Sequence, residues 1–133
     1  MSVAAITGVI AEAIEELRQT FPDASVTFEP DGDGGAWVNI DPVPTGPAYT
    51  QQATWITFQI THPYPEADIY PLFVQPDLTR KDGAGHGEGF QSVAWGPRAQ
   101  PGTQLSRRSN RLDPAVDTAA TKVLKVLRWL AQQ

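Results

Sequence analysis

The chain has 133 residues and no cysteine, an absence that removes disulfides, thiolate metal sites and cysteine nucleophiles together. Histidine is nearly absent as well. Its two copies, His62 and His86, are the only residues on which a histidine-based metal or acid–base site can be built. Lys and Arg number 10 against 15 Asp and Glu, a formal net charge of -5 that gives no general attraction to nucleic acid or to an anionic membrane. No apolar run is long enough to span a bilayer, and residues 1–5 lack the basic region and continuous apolar run of a secretory signal. The expected location is the cytoplasm. An apolar content of 41% with 19% charged residues is the composition of a globular chain, and the length fits one domain over residues 1–133.

Proline is abundant, and its placement matters most between His62 and Asp77. Pro63, Pro65 and Pro71 fix the backbone angle and withdraw three amide donors, so this stretch is a rigid crossing between two strand-like runs. Tyr64-Pro65 is an aromatic–proline pair, and a cis bond is expected there.

Before this crossing, Ile6, Val9, Ile10, Ile14, Leu17 and Phe21 recur at helical spacing from Val3 to Phe21, and Pro22 ends the run. Residues 24–30 alternate with Val26 and Phe28 on one face. The turn at 31–35 and a second alternating run at 36–41 complete a hairpin. The turn is acidic and glycine-rich but lacks the oxygen ladder of a calcium loop, so no metal is expected there. Ile56, Phe58 and Ile60 define a third strand over 54–61, and residues 69–74 a fourth. Residues 78–106 carry many glycines and read as irregular, with a short run at 90–95 against the core. Asp113-Pro114 then predicts a helix start, with Val116, Ala120, Val123, Leu127 and Leu130 as its apolar seam. The fold class is α+β: an N-terminal helix, a four-stranded antiparallel meander, an irregular segment and a C-terminal helix packed on the sheet.

This order of elements resembles the ubiquitin-conjugating-enzyme fold. Tyr64-Pro65, followed by Tyr70-Pro71 and Leu72-Phe73-Val74, is similar to that family's Tyr-Pro pair and its proline-containing approach to the fourth strand. The stretch from Arg111 to Ala115 is similar to its lead into the helix behind the active site, and Ser106 to Arg111 resembles bacterial conjugating-enzyme-like proteins of ubiquitin-like pathways. The family's His-Pro-Asn motif and thioester-forming cysteine have no counterpart here. Where they would fall, residues 83–94 offer His86 and Ser92, and a serine without a positioned base is a weak nucleophile whose alkoxide is a poor leaving group. The resemblance therefore implies a non-catalytic variant, comparable to the RWD domains that serve as interaction modules, with no cofactor. Its expected partners are an activating enzyme, a ubiquitin-like protein or a peptidase.

The residues themselves supply a docking surface. Arg107, Arg108 and Arg111, with Arg98 upstream, are the densest basic cluster, and guanidinium forks suit an acidic surface or a chain-terminal carboxylate. The bland alternative ties these arginines to Asp113, Asp117 or Glu88. Of the tryptophans at 37, 55, 95 and 129, at least two, including Trp129, are expected mostly buried, and Trp95 is the one reachable by a partner. A different functional class, a small metal-dependent or acid–base enzyme, requires His62 and His86 to converge with acids such as Asp77, Asp82 or Glu88.

Overall fold

A computed structural model of the chain describes residues 6–133. Helix α1 spans Gly8–Thr20 and is opened by Thr7, whose side chain accepts a hydrogen bond from the Ile10 amide at 3.2 Å. Ile10, Ala13, Ile14 and Leu17 form its buried stripe, while Val9 lies outside that stripe and stays exposed. The part of the predicted helix before residue 6 falls outside the described residues. Six strands follow: β1 Ser25–Pro30, β2 Ala36–Pro44, β3 Ala53–Ile60, β4 Leu72–Val74, β5 Phe90–Trp95 and β6 Gln100–Leu105. All pair antiparallel in the order β1-β2-β3-β4-β6-β5. Helix α2, Ala119–Ala131, packs with α1 on one face of this sheet.

The meander over β1 to β4 is present, but the sheet has six strands rather than four. β4 is also shorter than the predicted 69–74 run, because Pro71 offers no donor and Leu72 is the first residue to pair with β3. The added strands arise from the stretch that reads as irregular. Pro101 and Gly102 depress strand propensity in β6, while the short run at 90–95 is β5, a half-exposed edge strand. Gly102 has a reason: a β-carbon there would meet the Trp95 indole at 2.6 Å.

Asp113-Pro114 does not begin α2. Asp113 closes a turn on itself, its carboxylate accepting from the Ala115 amide and its carbonyl from Val116 and Asp117. The helix waits for Thr118, which exchanges reciprocal side-chain bonds with Thr121 and so satisfies the first helical donors. Val116 accordingly lies outside the seam and is 64% exposed. Phe28 shares a face with buried Val26 on the edge strand β1 but is itself 41% exposed.

The proline crossing sets the position of α2. Tyr64-Pro65 is cis, as are Tyr70-Pro71 and Asp41-Pro42. The Tyr64 hydroxyl accepts from the Ala119 amide at 2.9 Å, which ties the turn to the first residue of the helix. Four residues on, Asp68 meets Lys122 of α2 with both carboxylate oxygens at 3.2 Å. Lys122 also donates to the Arg107 carbonyl at 2.6 Å, and the Ser109 amide and hydroxyl donate to Asp68 at 2.7 and 2.9 Å. Burial pushes the Asp68 carboxyl up, but the Ser109 and Lys122 hydrogen bonds outweigh it and leave the group below its ordinary value. For Lys122, only 7% exposed, burial dominates over Asp68 and pulls the ammonium down.

Asp68→Asn leaves Lys122 buried without its counter-charge and is expected to cost about 3 kcal/mol of stability at neutral pH. Because the folded-state value of Asp68 is depressed, its contribution is full above the unfolded value of about 3.9 and is lost as pH falls through the folded one. Urea unfolding across pH should therefore show wild type and variant converging in acid; a constant gap would contradict the assignment.

Candidate functional site

Residues 106–112 run from the end of β6 along α2, and the Lys122 node pins them there through Arg107 and Ser109. With their backbone held, the side chains of Arg107, Arg108 and Arg111 are free to project. Arg107 lies over the Trp129 ring at 5.0 Å and Arg108 over the Tyr70 ring at 4.1 Å, so each guanidinium is oriented by an aromatic face and not by a carboxylate. Among the described residues, the ion pairs involve Arg18, Arg80, Arg98, Lys122 and Lys125, and none involves these three arginines. Asp117 pairs instead with Lys125 at 3.6 Å. Arg107, Arg108 and Arg111 line an open concavity of about 480 Å³ with Lys122, Lys125 and Trp129. It is a cationic hollow with one aromatic wall, suited to a carboxylate that can accept forked hydrogen bonds.

Arg98 does not belong to this cluster. It sits in the β5–β6 turn on the other face of the sheet and pairs with Glu29 of β1 at 2.6 and 3.2 Å. Trp95 is also on that face, stacked with Phe73 and beside Trp37 and Trp55. None of the four tryptophans is fully buried. Trp129, expected in the core, is half-buried as the wall of the arginine hollow, and the others are half-buried on the open sheet face.

No family model, curated protein or solved structure matches this chain. The hollow is thus described by its own chemistry.

The two histidines are not brought together. His62 is exposed beside Gly34 in the β1–β2 turn, whereas His86 packs against Phe90 of β5, with β3, β4 and β6 between those elements. No group of three or more His, Cys, Asp or Glu side chains among the described residues is placed to hold a metal ion. Ser92 is exposed on β5 opposite Thr103, with neither histidine bonded to it. His86 fills a packing role: its ring stacks on Phe90 at 4.6 Å and 14°, and its Nε2 donates to the Leu78 carbonyl at 2.6 Å. Phe90 in turn stacks on Trp129 at 5.1 Å, and Gly89 takes φ +91 where a β-carbon would strike that indole at 2.9 Å.

The glycine-rich loop therefore buttresses the hollow from behind. Sequence reasoning found the arginines but not Lys122, Lys125 or Tyr70. The i, i+3 spacing of the two lysines on one face of α2 was the available signal. His86→Ala is expected to lower stability by about 1–2 kcal/mol, through one lost hydrogen bond and one lost stack, read as a shifted denaturation midpoint. Bound metal in wild type that disappears in the variant would contradict the packing role.

Proposed function

We propose that the chain is a non-catalytic interaction module of the ubiquitin-conjugating-enzyme-like kind, acting in the cytoplasm as an adaptor or scaffold in a bacterial ubiquitin-like modification pathway. Its docking site is the arginine hollow. The observation that supports this most is that Arg107, Arg108 and Arg111 line one concavity yet pair with no carboxylate among the described residues. Three guanidiniums gathered without counter-charges repel one another, an arrangement that a bound carboxylate relieves. The chain terminus of a ubiquitin-like protein, or an acidic face on an activating enzyme or peptidase, supplies such a group.

The missing thiol and the exposed, unassisted Ser92 favour binding over transfer. Guanidinium holds its proton throughout the physiological range, so the three arginines can orient an anion but cannot shuttle protons.

Affinity purification of tagged protein from its native host, read by mass spectrometry, tests this with Arg107→Glu/Arg108→Glu alongside. Both side chains are exposed, so the variant should fold as wild type does. Recovery of an activating-enzyme-like, ubiquitin-like or peptidase partner by wild type, reduced about tenfold or more in the variant, is the expected result. Equal recovery by both proteins would remove the hollow as the docking site.

A further inference from the structure

The second concavity lies on the sheet face that carries no helix. Thr27 and Glu29 of β1, Trp37, Asn39 and Asp41 of β2 and Trp55 of β3 border a groove of about 460 Å³, a size suited to a small-molecule ligand. Trp95 leans over Gly102 from β5 and touches both other indoles, with centroids 5.8 Å from Trp37 and 5.7 Å from Trp55. The three rings make one continuous wall. Beside the wall the lining carries polar groups whose hydrogen-bonding capacity is largely uncommitted. The Thr57 hydroxyl donates to Asn39 Oδ1 at 2.6 Å, which fixes the amide and leaves its NH₂ group to donate elsewhere. Thr27, Asp41 and Gln100 line the groove without an ion pair or side-chain hydrogen bond among the described residues.

Charge narrows what can bind. The single cation in the lining, Arg98, is already engaged by Glu29 through two hydrogen bonds, so no free positive group is present to hold a phosphate or carboxylate. Indoles in mutual contact, with Trp95 less than 6 Å from both Trp37 and Trp55, leave an ammonium a single open face to lie over, the weaker form of that contact. The wall and the polar groups beside it best match a neutral ligand with a flat C–H face for the indoles and hydroxyls at its edge for Asn39, Asp41, Thr27 and Gln100. Pyranose rings have that form, since their axial C–H bonds carry partial positive charge toward the negative face of an indole.

We propose that this groove is a binding site for a neutral saccharide. It lies across the sheet from the arginine hollow and does not depend on it. The full chain is to be applied to an array of neutral and charged oligosaccharides, the strongest neutral one then titrated by calorimetry and tryptophan fluorescence, with choline and inorganic phosphate as comparison probes. A neutral oligosaccharide should bind saturably and shift the tryptophan emission. Trp95→Ala and Asp41→Ala should each weaken it about tenfold, with Arg107→Glu/Arg108→Glu unchanged. Asp41 is exposed and bonded to nothing in the core, so its variant decides the matter should Trp95→Ala fail to fold. No neutral saccharide bound at millimolar concentration, saturation by choline or phosphate instead, or wild-type affinity in Asp41→Ala would each overturn the assignment.

Discussion

One largely buried ion pair holds α2, the proline crossing and the arginine segment in register. Lys122 on α2 reaches Asp68 from the proline crossing and the Arg107 carbonyl from the segment after β6, and Ser109 closes the set by donating twice to Asp68. A helix, a turn and a loop far apart in sequence thereby share one charged node. Taking these charges out of water is costly, and apolar residues of similar volume often serve stability as well. Direction is what the node adds. A methionine at position 122 would fill the space but would not fix the carbonyl of Arg107, and without that anchor the arginine side chains would have no common origin. Tyr64 acts in concert, its hydroxyl meeting the amide of Ala119 three residues before Lys122, so the same crossing sets both the start of α2 and its lateral position.

The other sheet face is organised by aromatic packing and not by charge. The Arg98–Glu29 pair joins the β5–β6 turn to β1, strands that stand at opposite edges of the sheet. Both partners are exposed, and pairs of that kind add little to stability. The curl that brings the edges together is better accounted for by Trp95, which crosses Gly102 to reach Phe73, Trp55 and Trp37 on three successive strands. Thr57 records the result: it points away from the helices, yet it is buried.

What could be read in the sequence followed how local each signal was. Ile56, Phe58 and Ile60 alternate on a strand with one covered face, and α1 follows its apolar stripe, so both elements lie where periodicity puts them. The run at 90–95 is legible but its pairing with β6 is not, because the open-face residues of the hairpin are Gln, Val, Trp and Gly, and what orders them is Trp95 packing onto residues twenty or more positions away. The start of α2 was misplaced because Asp113-Pro114 and Thr118 are both competent helix openers. Tyr64 accepting from Ala119, a contact across the fold, favours the second. The arginines are legible as a cluster by proximity in sequence, and the same proximity joins Arg98 to them: it lies nine positions before Arg107, but at the other end of β6, where it pairs with Glu29.

The arginine hollow is shaped for holding more than for reacting. Its cations are guanidiniums and ammoniums, its one aromatic wall is Trp129, and the nearest histidine is turned away into the Phe90 stack with its Nε2 committed to Leu78. General acid–base catalysis needs a group that exchanges protons near neutral pH within reach of the bound ligand, and covalent catalysis needs an activated nucleophile. Among the described residues no histidine or carboxylate lines the hollow, and the Lys122 ammonium is committed to Asp68 and the Arg107 carbonyl. The aromatic supports under Arg107 and Arg108 also limit how far each guanidinium can swing, so part of the ordering cost of binding is met before a ligand arrives. Preorganised forks around an open concavity suit a carboxylate by shape and charge, and the node beneath them fixes the backbone from which they project.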